Sequence, residues 1–135
     1  MPVRLQLSRR KGFNLQAESL ALNGLPASRV ARPGRWGNPY QVVCGPAWRG
    51  TANPLPAGRW GVCCMAPPLA VFDDKAAALR DCIARYRASL VAGGLTVSVE
   101  YARLMLHGRN LACYCALDAP CHADVLLEVA NQETP

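Results

Sequence analysis

Apolar and polar residues alternate over Val3-Arg4-Leu5-Gln6-Leu7, the two-residue period of a half-buried strand. A basic turn, Arg9-Arg10-Lys11-Gly12-Phe13, ends it. The apolar positions from Leu15 to Leu22 then predict a short helix, with Asn14 as its N-cap and Asn23-Gly24 as its stop. Ala27–Ala31 and Gln41–Cys44 read as short strands. Farther along, Leu79, Ile83, Tyr86 and Leu90 recur at helical spacing opposite Arg80, Asp81, Arg85 and Arg87. That pattern predicts an amphipathic helix from about Lys75 to Val91, capped by Asp73 or Asp74 and ended by Gly93-Gly94. A helix from about Val99 to His107 follows, closed by Gly108, then a buried strand over Arg109–Cys115. A last helix runs from Cys121 to Asn131, with Val125, Leu126, Val129 and Ala130 facing inward.

Strands alternating with helices predict an α/β fold: one small domain over residues 1–135, with a short central sheet flanked by helices, Rossmann-like or related. Residues 45–68 hold five of the eleven prolines and read as an irregular insertion. The 135 residues are enough to bury a core without disulfides. No apolar run approaches the roughly 20 residues of a membrane span, so no membrane partner is expected. Met1–Lys11 is basic and mixed and carries no secretory signal, which gives a cytoplasmic location as the expectation. The oligomeric state is open.

Charge is unevenly spread. Residues 1–60 carry nine basic side chains against one acid, Glu18, whereas the remainder carries six against eight. A basic first half suits a face that meets phosphate. It is equally compatible with ordinary solvated surface, since 13 of the 15 basic residues are arginines scattered along the chain.

Seven cysteines in a reducing compartment point to metal or thiol chemistry rather than to a disulfide framework. Cys113, Cys115, Cys121 and His122 fall within ten positions. On a strand Cys113 and Cys115 share a face. Pro120 suits a first helical turn, which puts Cys121 and His122 at a helix N-terminus. Strand end and helix start therefore converge at the C-terminal edge of a sheet, where α/β domains keep their sites. Three readings compete. One is a Cys3His site for Zn2+; because helical neighbours point about 100° apart, Cys121 and His122 can share an ion only where the turn is not yet regular. Another is a nucleophilic Cys121 whose pKa is lowered by the helix dipole and a histidine, with His122 or Asp124 handling protons. The third is buried structural cysteine with a packed histidine. Cys44 and Cys82 read as core, and Cys63-Cys64 as either an exposed thiol pair or buried residues.

Arg32-Pro33-Gly34-Arg35-Trp36-Gly37-Asn38-Pro39-Tyr40 forms the second constellation. Its glycines allow close backbone approach, Arg32 and Arg35 can meet phosphate, and Trp36 offers a stacking face for a base, with Gly37 and Asn38 completing the loop. A rigid turn with a buried tryptophan is the competing reading. The loop matches neither the P-loop nor the dinucleotide fingerprint. With only His107 and His122 available, no Ser-His-Asp set can be drawn, and the zinc deaminase pattern is missing.

Taken together, Arg32–Tyr40, the helix carrying Tyr86, Leu111-Ala112-Cys113-Tyr114-Cys115 and Pro120-Cys121-His122-Ala123-Asp124-Val125-Leu126 resemble a family of small phage and bacterial proteins. That family is catalogued as a domain of unknown function and marked by a Cys-Trp-Cys motif. The resemblance covers most of the chain, including Arg9–Phe13 and excepting 45–68, and Tyr114 stands where the family usually has Trp. It supplies no activity. It implies a cytoplasmic protein in a setting where small accessory proteins act on nucleic acid or nucleotides.

The reading that follows is an α/β protein that binds a nucleotide or nucleic acid through the Arg32, Arg35, Trp36, Gly37 and Asn38 loop. Cys113, Cys115, Cys121 and His122 form a zinc or thiol site beside it. The alternative is a non-catalytic module in which the cluster is a structural staple and the basic half binds nucleic acid or a host protein. An enzyme needs an open metal position or an accessible Cys121; a staple is closed and buried.

Overall fold

The computed structural model describes residues 1–32, 34–45, 55–64 and 69–132. Two units divide the chain, Met1–Gly37 with Ser89–Pro135, and Asn38–Ala88.

The first unit is built on a parallel sheet of β1 (Arg4–Gln6), β6 (Asn110–Cys113) and β2 (Ala27–Arg29), in the order β1-β6-β2. Gln6 pairs with Cys113 and Arg29 with Ala112. Pairing continues past the strand ends, where the Leu7 amide donates to the Cys113 carbonyl and the Val30 amide to the Ala112 carbonyl, both at 2.9 Å. All three strands thus finish at one edge of the sheet. All four residues of β6 are buried, as expected of a central strand covered on both faces. The helices of this unit are α1 (Leu15–Asn23), α3 (Val99–Leu106) and α4 (His122–Asn131). Asn14 caps α1 through the Ala17 amide and Gly24 ends it at φ 76°, a left-handed position suited to glycine. α1 packs on β2; α4 packs on β6, β1 and α3. Val30, Leu106, Leu111, Ala112 and Leu126 are fully or almost fully buried in this unit's core.

One buried polar residue opens the central strand. Asn110 is 0% exposed. Its Nδ2 donates to Ser19 Oγ at 2.7 Å and to Asn23 Oδ1 at 2.8 Å, and its Oδ1 accepts from the Val3 amide at 2.9 Å and from Asn23 Nδ2 at 3.0 Å. The side chain pins both the start of β1 and the end of α1 to β6.

The second unit holds an antiparallel sheet, β3 (Gln41–Cys44), β4 (Trp60–Cys63) and β5 (Ala70–Phe72), in sequential order. Val62, Ala78 and Cys82 form its core, with Tyr40, Val42, Trp60 and Phe72 packed against them. Ala78 and Cys82 lie on α2 (Lys75–Ala92).

The α/β class holds, and its strands are shared between two three-stranded sheets where a single central one was expected. The irregular insertion over 45–68 is corrected in part: Trp60–Cys63 is β4. The run Trp60-Gly61-Val62-Cys63 is short and flanked by prolines, which hid its strand character. Gly45 allows the chain to close on this segment, since a Cβ there would fall 1.8 Å from the Pro56 carbonyl oxygen, while the Gly45 amide donates to the Arg59 carbonyl at 2.8 Å. The rest of the insertion, 46–54 and 65–68, lies outside the described residues. On α2 the buried stripe is Ala78, Cys82, Tyr86 and Leu90, with Leu79 and Ile83 only half-buried, one residue around from the predicted line. Cys44, expected in the core, is exposed at the end of β3.

Asn110→Leu keeps the branched shape and strands the polar groups of Ser19, Asn23 and the Val3 amide. It is expected to cost about 2–4 kcal/mol, read as a lower urea midpoint at unchanged m-value.

Candidate metal centre

β6 carries Cys113 out to the C-terminal edge of the parallel sheet, on the face that meets α4. The chain turns through 114–120, and Cys121 is the N-cap of α4, in an extended conformation (φ −147°, ψ 145°). His122 is the first helical residue. This junction meets the condition under which neighbours can face one point, because only one of the two has entered the helix. Cys113 Sγ, Cys121 Sγ and a ring nitrogen of His122 all lie within 4.8 Å of one another, and all three residues are buried. Cys115 Sγ adjoins them, 3.8 Å from Cys113 Sγ, and Cys121 Sγ is 3.7 Å from His122 Nδ1. A tetrahedral ion with metal–sulfur bonds of about 2.3 Å places its ligand sulfurs about 3.8 Å apart. Cys113, Cys121 and His122 form a group that can hold a metal ion, and Cys115, expected in the ligand set, is not one of the three.

The histidine is set for ligation by what lies behind it. His122 Nε2 donates to the Val30 carbonyl at 2.7 Å, which leaves Nδ1 as the acceptor on the thiol side, 3.7 Å from Cys121 Sγ. Burial pushes the His122 pKa below its ordinary value, and the Arg32 and Arg4 charges push the same way, against the opposing pull of the Val30 carbonyl and Cys113.

The three thiols share protons. Hydrogen bonds from Cys115 and Cys121 hold Cys113 far below the usual thiol range. The Cys113 and Cys121 sulfurs, with burial added, push Cys115 far up. Cys121 is raised, chiefly through its hydrogen bond with Cys113 and by burial, and the Ala123 amide at 3.5 Å only partly offsets this. The shift at Cys121 runs opposite to the lowering expected of a helix start, and the residue is 1% exposed. Asp124, expected to handle protons, is ion-paired with Arg4 Nε at 3.4 Å.

Sequence reasoning passed over Arg4. From β1 its Nη2 donates to the carbonyls of Ala116, Leu117 and Ala119 at 3.2, 2.6 and 2.9 Å, so one guanidinium holds the loop between Cys115 and Cys121. Its partners are backbone atoms more than a hundred residues away, and no sequence pattern announces them.

The Arg32–Asn38 loop is committed elsewhere. Trp36 is buried and stacked on Tyr101, with centroids 5.4 Å apart and planes 16° from parallel. Arg35 donates to the Tyr101 hydroxyl and lies over that ring. A Cβ at Gly37 would fall 2.6 Å from Arg32 Cγ. Asn38, in the second unit, is buried, with Oδ1 accepting from the Tyr40 amide and Nδ2 donating to Cys82 Sγ. The stacking role expected of Trp36 has no open face to act through. Arg32 is exposed and remains in the first unit with the cluster.

A family model described as a domain of unknown function (DUF4326) matches residues 13–132. The chain belongs to this family. The DUF4326 match includes Cys113, Cys115, Cys121, His122 and the Trp36 loop. It runs through 45–68, which the sequence resemblance set aside, and begins after Arg9-Arg10-Lys11, which that resemblance included. Comparisons with curated proteins and with solved structures give no match for this DUF4326 chain. Among the described residues no helix is long and apolar enough to cross a membrane.

The depressed His122 pKa gives metal-free protein a defined acid response. The unfolded chain protonates this histidine near pH 6.5, whereas the folded state keeps it neutral to lower pH. Unfolding therefore takes up a proton, and the histidine's contribution to stability is lost as pH falls from about 6.5 toward the folded pKa. Urea titrations of metal-free protein across this range should show that loss, and His122→Gln should flatten this part of the pH profile.

Proposed function

We propose that this protein is a zinc-binding domain in which Cys113, Cys115, Cys121 and His122 form a closed Cys3His site, a structural staple rather than a reaction centre. The observation that carries the reading is the ligand-like spacing of the group, 3.8 Å for Cys113–Cys115 and 3.7 Å for Cys121–His122, with His122 Nε2 tied to a backbone carbonyl. Thiolate and imidazole donors suit Zn2+, which asks for no redox partner and takes tetrahedral geometry readily. Four protein ligands fill the tetrahedron and leave no position for a water or substrate, which separates this site from catalytic zinc. Three thiolates around Zn2+ carry a net charge of −1. Arg4 supplies the nearby compensating charge from a side chain only 8% exposed. The staple would join the end of β6 to the start of α4 across a loop that has no regular structure of its own.

Elemental analysis of protein purified without chelator tests this. One equivalent of zinc is expected, with loss in Cys113→Ala and His122→Ala, and less than about a tenth of an equivalent in the parent protein overturns the reading. Chelation should lower the melting temperature by about 10 °C or more, as removal of a structural ion worth several kcal/mol requires in a chain of this size.

A further inference from the structure

Tyr114 lies between two of the cluster's cysteines, one residue past the end of β6. There it meets two arginines from the neighbouring strands' ends. The Arg9 guanidinium carbon lies over the Tyr114 ring at 4.4 Å from its centroid, and that of Arg29 at 5.8 Å. Arg29 pairs with Ala112, two residues before Tyr114. Both arginines are exposed and Tyr114 is half-buried.

Like charges do not gather without cause, and here the cause is not an acid. Among the described residues neither Arg9 nor Arg29 joins an ion pair, whereas Arg4, Arg10, Arg59 and Arg85 do. Arg9 has no hydrogen-bond acceptor among the described residues, and Arg29 has one, the Arg32 carbonyl at 3.4 Å. A guanidinium lying on an aromatic face engages its own face and leaves its in-plane N–H groups directed outward, the fork that fits a phosphate. An aromatic ring set between cations is the arrangement by which single strands are held, with cations on the backbone and a π-surface near the bases.

We propose that the Arg9–Tyr114–Arg29 face at the C-terminal edge of the parallel sheet binds single-stranded nucleic acid through its phosphate backbone. This goes beyond the zinc reading and does not depend on it, since neither arginine is a ligand of the cluster. It also moves the interface away from the Trp36 loop, whose aromatic ring is buried.

Fluorescence anisotropy with a labelled single-stranded oligonucleotide, repeated over a range of salt, tests the proposal on the full chain. Arg9→Glu/Arg29→Glu should weaken binding by about tenfold or more, with Arg9→Lys/Arg29→Lys losing far less. Arg9→Ala/Arg29→Ala should reduce the salt slope by about 1.4, at roughly 0.7 per phosphate contact on a single strand. Tyr114→Ala should also weaken binding. Unchanged zinc content and circular dichroism in these variants separate loss of the face from loss of the fold. The proposal is overturned by absence of binding to the parent protein, or by an equal loss in the exposed-site control Arg80→Glu paired with Arg87→Glu. Equal or tighter binding of duplex overturns it as well, as does a mononucleotide that competes as well as the oligomer at equal phosphate concentration.

Discussion

The hydrogen bond from His122 Nε2 to the Val30 carbonyl, 2.7 Å long, is the contact on which the cluster depends. It fixes the tautomer and the ring's orientation together. With Nε2 committed to a backbone acceptor at the exit of β2, Nδ1 is left facing Cys121 Sγ at 3.7 Å. The same bond ties the first residue of α4 to the sheet, so Cys121, one residue earlier, is held extended with its sulfur toward Cys113. Were the ring free to turn, Cys113, Cys121 and His122 would still be close in sequence, but their ligand atoms would not lie within 4.8 Å of one another.

That convergence rests on supports of a different kind on each side. Beneath it, β6 is gripped by β1 and β2 and by the Asn110 network, which joins the central strand to α1 and to the start of β1. Beside it, Arg4 holds the 116–119 loop by three carbonyls. A buried arginine is costly unless its donors are used and its charge is met. Nη2 is used by the three carbonyls, Nη1 has no hydrogen-bond partner among the described residues, and Asp124 meets the charge at 3.4 Å. Cys113 ends β6 at the cluster, and the next residue, Tyr114, meets Arg9 and Arg29.

Much of this is legible in the residues themselves. The apolar run at Leu111-Ala112-Cys113 reads as a buried strand because β6 is central, and the periodicity of α2 is strong enough to survive a one-residue rotation of its buried stripe. Three cysteines and a histidine within ten positions point to the cluster before any geometry is known. What escapes is whatever depends on partners distant in sequence. β4 is four residues inside a proline-rich segment, and its strand identity comes from pairing with β3 and β5 rather than from local pattern. Arg4 on β1 looks like a solvated strand residue until its carbonyl partners are placed. Trp36 reads as a stacking surface until Tyr101 covers it. Cys121 has the helix-start position that lowers a thiol pKa, but the neighbouring sulfur and burial outweigh the helix.

X-ray absorption at the zinc edge of the loaded protein tests most directly whether Cys113, Cys115, Cys121 and His122 form one closed ligand set. Three sulfur neighbours at about 2.3 Å and one nitrogen at about 2.0–2.1 Å are expected, with no further light-atom ligand. A first shell with two or fewer sulfurs, or one completed by oxygen, would contradict it.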